Sequence, residues 1–156
     1  MRPRYCTPAG SNEAREPTIR GTTAIVESDV SSTCNPRQIR RVVVQHARTF
    51  ELLCASHPHL RRLVLILRGT DGSRRDEILD DCADASERIH SWIEQRCAIF
   101  SNVLIVIVDE GTDEEFLARW ITDLTSRPLS PLAAVALASS DLPQRNVTQS
   151  VAGVYL

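Results

Sequence analysis

The run V-L-I-V-I-V at residues 103–108 contains no polar side chain, and L-V-L-I-L at 63–67 repeats the pattern. A strand with one wet face alternates apolar and polar residues, because successive side chains point to opposite sides of the sheet. Runs that do not alternate, and that are too short for a helix, suit strands buried on both faces, as in parallel sheets covered by helices above and below. Two such runs restrict the chain to an α/β architecture before anything else is considered. Two weaker segments join them: T-T-A-I-V-E-S within 21–28, rich in β-branched residues, and the small residues of 133–138.

Between these runs the apolar period changes from 2 to 3.6. Asn35-Pro36 opens a helix, since asparagine caps free amides and proline at the first helical position loses no needed donor. Ile39, Val42, Val43, His46, Ala47, Phe50 and Leu53 then recur on one face, and His57-Pro58 predicts the stop. A second helix carries Ile78, Leu79, Cys82, Ala85, Ile89, Trp92, Ile93 and Cys97 on its inward stripe, with Ser73 and Asp76 as a capping-type start. A third places Phe116, Leu117, Trp120, Ile121 and Leu124 on one face behind a Thr112/Glu115 capping box.

Strand and helix in alternation predict a three-layer sandwich, Rossmann-like, with a mostly parallel sheet of about four to five strands flanked by helices. Right-handed crossovers would wind it, and ligands would lie beyond the carboxyl ends of the strands where strand order reverses. Residues 1–20, with three prolines and scattered charges, read as a flexible arm, and 21–156 as a single domain. The tail from 147 to 156 is read as a further edge strand.

Composition removes several function classes. All 18 basic residues are arginine, and without lysine the chain holds no Walker A motif, Schiff-base lysine or Ser-Lys dyad. A net charge of -2 gives no general attraction to nucleic acid or to an anionic membrane. No apolar run reaches membrane-spanning length or has the form of a signal peptide. Five cysteines, odd in number and without a C-x-x-C pair, fit a reducing, cytoplasmic setting.

The carboxyl ends of the four expected strands are followed by Asp29, Ser31 and Thr33; by Thr70 and Asp71; by Asp109 and Glu110; and by Ser139, Ser140 and Asp141. Hard divalent cations prefer oxygen ligands, so such a rim is a candidate Mg²⁺ site. The same residue types also cap helices and fit tight turns wherever a strand becomes a helix, which is the competing explanation.

A strand followed by Asp29-x-Ser31-x-Thr33, with a later aliphatic strand followed by Thr70-Asp71-Gly72, resembles the von Willebrand factor type A domain. The resemblance covers residues 22 to 140. It implies a metal-ion-dependent adhesion site in which Asp29, Ser31, Thr33 and Asp71 hold Mg²⁺ or Mn²⁺, with an acidic side chain of a protein partner completing the shell. The chain departs from that pattern between the motifs, where residues 34–62 hold little more than one helix and lack the family's ligand threonine.

The leading expectation is a protein-interaction domain with an adhesion-type metal site and no catalytic residues. The alternatives are a metal-dependent phosphoesterase or nuclease on the same acidic rim, and a metal-free adaptor whose hydroxyls are only caps. Cys34 and Arg40 satisfy the C-x5-R spacing of cysteine phosphatases, but the intervening residues include Pro36 and no glycine, unsuited to a phosphate cradle. Arg61, Arg62, Arg74 and Arg75 would have to cluster to receive a nucleic acid.

Overall fold

The computed structural model describes residues 15–31, 35–70, 72–99, 101–128 and 134–142. In chain order they form β1 (Thr18–Arg20), β2 (Thr23–Asp29), α1 (Pro36–Ser56), β3 (Arg62–Arg68), α2 (Arg75–Cys97), β4 (Asn102–Val108), α3 (Glu114–Ser126) and β5 (Ala134–Ala138). Single 3-10 turns, Gly72–Arg74 and Ser139–Asp141, follow β3 and β5. The three-layer α/β sandwich expected from the apolar runs is present. Its sheet has five strands, with β2 to β5 parallel and β1 antiparallel on the β2 edge. The expected tail strand at 147–156 lies outside the described residues.

Burial explains the unbroken runs. Residues 63–67 of β3 and 103–107 of β4 are at most 5% exposed, so both faces of the two central strands are dry. One face carries Ala24, Val26, Leu63, Leu65, Leu67, Val103, Ile105 and Ile107 under α1 and α2. The other carries Ile25, Val64, Ile66, Leu104, Val106, Val135 and Leu137 under α3, through its Leu117, Trp120, Ile121 and Leu124. β1 comes from the end of the segment read as an arm. It turns through Gly21, whose φ of 55° suits a residue without Cβ, and pairs Thr18 with Ile25.

Strand order follows chain order, β1-β2-β3-β4-β5, with no reversal. The expected crevice at a reversal of order is therefore absent among the described strands. What changes instead is the side of the connection: α1 and α2 cross one face, and α3 crosses the other. Since the strands advance in one direction throughout, connections over opposite faces have opposite hands. The expectation of uniformly right-handed crossovers is corrected: with α1 and α2 in the usual sense, the β4–α3–β5 connection is left-handed.

Helix ends show how side chains and backbone share the work. Asn35 caps α1 as expected, its Oδ1 accepting from the Gln38 amide at 3.0 Å. α3 ends against Arg62, a buried arginine whose Nη1 donates to the Leu124 carbonyl at 2.6 Å and whose Nη2 donates to Pro128 O at 3.1 Å. No helix among the described residues is long and apolar enough to cross a membrane.

Candidate functional site

At the β2–β3 corner the D-x-S stretch and the strand leading to T-D-G come together. The Val30 amide donates to Arg68 O at 2.8 Å, extending the ladder one residue beyond Asp29. The Asp29 Oδ1 then accepts from the Ser31 amide at 2.8 Å, and the Ser31 hydroxyl also bonds the carboxylate. These two bonds, the hydroxyl's first, hold the Asp29 carboxyl below its ordinary range.

Gly69, with φ of 79°, faces this turn from the end of β3. A Cβ built there would stand 2.7 Å from the Ser31 Cβ and 3.0 Å from the Asp29 Oδ1. The two loops touch because this residue has no side chain. Of the four expected metal ligands, Asp29 and Ser31 share a turn, and Thr33 and Asp71 lie outside the described residues.

At the β4–β5 corner the acidic rim is already occupied by a cation of the chain's own. Arg75, in the first turn of α2, donates from Nε to the Asp109 Oδ1 at 3.1 Å and from Nη2 to the Ser140 Oγ at 2.5 Å, with Asp141 Oδ2 at 3.5 Å. The Ser140 amide donates to the Asp109 Oδ2 at 3.0 Å. Burial pushes the Asp109 carboxyl upward, but the Ser140 bonds and the Arg75 charge outweigh it and hold the group below its ordinary range. The Asp109 amide donates to Ser139 Oγ at 2.7 Å, and the Thr112 hydroxyl donates to the Asp109 carbonyl at 2.6 Å.

The arrangement has a topological cause. The chain leaves β3 toward the α1–α2 layer and leaves β4 toward α3, so the loops part between these strands and Arg75 spans the gap. Beside it lies an open depression of about 370 Å³, lined by residues including Asp109, Thr112, Phe116 and Ser139. Both oxygens of Asp109 have internal partners, so this carboxylate is not placed as a free base. Among the described residues no group of three or more His, Cys, Asp or Glu is placed to hold a metal.

Several sequence expectations are redirected. The N-cap of α3 is Asp113, whose Oδ1 accepts from the Glu115 and Phe116 amides, and not Thr112, which ties Asp109 to Ser139. Ser73 falls inside the 3-10 turn, and the α2 N-cap is Arg74 without a side-chain cap bond. The four arginines do not cluster: Arg61 and Arg62 sit at the amino end of β3, Arg74 and Arg75 beyond its carboxyl end. Arg62 caps α3, Arg74 pairs with Glu77 at 3.0 Å, and Arg75 holds Asp109.

Burial pushes the Cys82 thiol up to about 12, and burial together with the neighbouring Cys97 pushes Cys54 up to about 11, so neither is poised as a thiolate. Cys34 lies outside the described residues. The role of Arg75 was hidden in the sequence because nothing local links it to Asp109, 34 positions later; only the pairing of β3 with β4 does. Compared with protein-family models, with curated proteins and with solved structures, the chain matches none.

Proposed function

We propose that the chain is a protein-interaction domain that works by binding rather than by turnover. The observation that carries this reading is the Arg75 guanidinium lodged among Asp109, Ser140 and Asp141, where a hydrolase of this architecture would need free carboxylates or metal. A carboxylate whose two oxygens serve an arginine and an amide stiffens a rim; it does not activate water. The arginines at the end of β3 and the start of α2 add support: Arg68, Arg74 and Arg75 are each paired with a carboxylate of the chain, which leaves them less available to a nucleic-acid phosphate. The corner built on Asp109, Arg75 and Ser140 is then a fixed platform for a partner protein.

A second reading, a Mg²⁺-assisted form of the same binding, is favoured by one observation: the contact of Gly69 with Ser31 and Asp29, which draws the two motif loops together. One carboxylate and one hydroxyl would supply two of the six positions around magnesium, which commonly takes one or two carboxylates and keeps waters. Asp29 and Ser31 would hold the ion with Thr33 and Asp71, and an acidic side chain of the partner would complete it.

One experiment serves both readings. Thermal unfolding of EDTA-stripped protein is followed with and without millimolar Mg²⁺, beside Asp29→Ala and Asp71→Ala, with phosphoesterase and nuclease turnover assayed in the same samples. An ion at 100 times its dissociation constant adds about 2.7 kcal/mol. For a chain of this size that raises Tm by roughly 5–11 °C. A shift in wild type lost in both variants supports the magnesium-assisted form. No shift leaves the metal-free domain, and turnover abolished by Asp109→Asn overturns both.

A further inference from the structure

We propose that the α1–α2 layer is the interface of a symmetric homodimer, in which α1 of each copy lies on α2 of the other. The proposal starts from the division of charge between the two helices. α1 carries four arginines against the single Glu51, whereas α2 carries seven carboxylates against three arginines. The net charge of the whole chain, close to zero, conceals this division.

The charges face outward in register. On α1, Arg37, Arg41 and Arg48 are exposed at steps of four and seven residues, which keeps them on one stripe pointing away from the sheet. On α2, Asp76, Asp80 and Glu87 are exposed at the same steps, with Asp84 between them. Among the described residues Arg37, Arg41 and Arg48 make no ion pair, and neither do Asp80, Asp84 and Glu87. Like charges at i and i+4 repel along each helix. A surface of the opposite sign relieves both stripes together.

Apolar contacts accompany the charges. The exposed large apolar side chains among the described residues are Val44, 42% exposed, and Leu52, 74% exposed. Both belong to the arginine stripe. On α2, a shallow depression of about 350 Å³ is lined by Glu87, Arg88, Ser91, Trp92 and Gln95. Leu52 is of a size to enter it beside the Trp92 ring, over which the chain's own Arg96 guanidinium lies at 5.9 Å.

The fold supplies the symmetry. Both helices return between parallel strands on one face of the sheet, so they run parallel to each other. Half a turn about an axis along the helices, midway between them, lays α1 of each copy on α2 of its partner twice over. The strands set their relative height: Asp29 pairs with Arg68, and α1 and α2 each start seven residues past that pair, so Arg37, Arg41, Arg48 and Leu52 stand level with about residues 76, 80, 87 and 91 of α2. That height brings the arginine stripe within about one helical turn of Asp80, Asp84 and Glu87, and Leu52 within about one turn of the depression. Two helices of 21 and 23 residues, about 31 Å long and about 20 Å wide together, offer about 600 Å² per partner, near the lower end of stable interfaces.

The test is sedimentation velocity on the full chain at about 0.1 M and about 1 M salt, where the screening length falls from about 10 Å to about 3 Å. Two charge-reversed variants accompany it: Arg37→Glu/Arg41→Glu/Arg48→Glu, and Asp80→Arg/Asp84→Arg/Glu87→Arg. Wild type is expected to dimerise at low salt and to weaken at least roughly tenfold at high salt. Each variant alone is expected to be monomeric, and an equal mixture is expected to form a 1:1 heterodimer, because both helix contacts are then complementary again. Should either variant lose its cooperative melt, Leu52→Asp replaces it and is expected to be monomeric. The proposal is overturned by a wild type that stays monomeric at about 100 µM in low salt, where even weak pairs associate. Folded variants that do not pair on mixing, or a dimer indifferent to salt and to every substitution, overturn it as well.

Discussion

A single missing methyl group decides how the β2 and β3 loops meet. At Gly69 an added Cβ meets Ser31 at 2.7 Å and also needs a φ of 79°, whereas at Gly111, with the same φ, nothing stands within 4 Å. Gly111→Ala therefore pays only the backbone strain, about 1–2 kcal/mol. Gly69→Ala adds the clash and should destabilise by at least about 1 kcal/mol more. Urea unfolding of the pair gives the difference directly.

His46 supplies a second test at this scale. It is 5% exposed on the inward face of α1, and burial lowers its pKa from 6.5. As pH falls, the unfolded chain takes up the proton before the folded one, so the stability tied to His46 is present above about pH 6.5 and is lost as pH drops toward the folded value. Tm of wild type should decline from there, and the decline should flatten in His46→Leu. Asp109, whose pKa is lowered from 3.8, loses its contribution by the same rule only in more acid solution, which separates the two windows.

At the scale of elements, the legible features were those determined by a run of residues. The dry strands announced themselves by lacking polar positions, and α1 by its asparagine, its proline and a stripe of six apolar residues with His46 among them. Features determined by one residue's choice between neighbours were less legible. Thr112 and Asp113 both suit a helix start, and the cap went to Asp113 because Thr112 is held by Asp109 and Ser139 from another strand. Asp113→Ala should cost about 1 kcal/mol, lowering Tm by roughly 2–4 °C, read from a thermal melt. β1 was not legible at all: three residues carry too little pattern, and only the free edge of β2 makes T-I-R a strand. The same limit applied to the site, where Asp29 and Ser31 could be named from local spacing but the partner of Asp109 could not.

For the whole molecule, the sequence order of strands and the buried layers followed from periodicity, but the side chosen by α3 did not. An amphipathic stripe specifies that a helix needs a sheet face, not which one. With α1 and α2 occupying one face, the back of β2 to β5 is left for α3, which reaches across to Arg20, Arg62 and Arg68. Its outward choice also parts the loops between β3 and β4, and so creates the gap that Arg75 closes.

That late, back-crossing helix sets the order in which the protein can be made. Ribosomes deliver β2, α1, β3, α2 and β4 before α3, and each of those strands can dock on its predecessor as it emerges. Until Glu114–Ser126 follows, however, Ile25, Val64, Ile66, Leu104 and Val106 form a bare apolar sheet face. A nascent chain stalled with Val108 just clear of the ribosome should therefore bind a hydrophobic dye and a chaperone holdase, and one stalled with Leu142 clear of it should release both. A stalled chain that showed neither would mean that this apolar face is covered before α3 arrives.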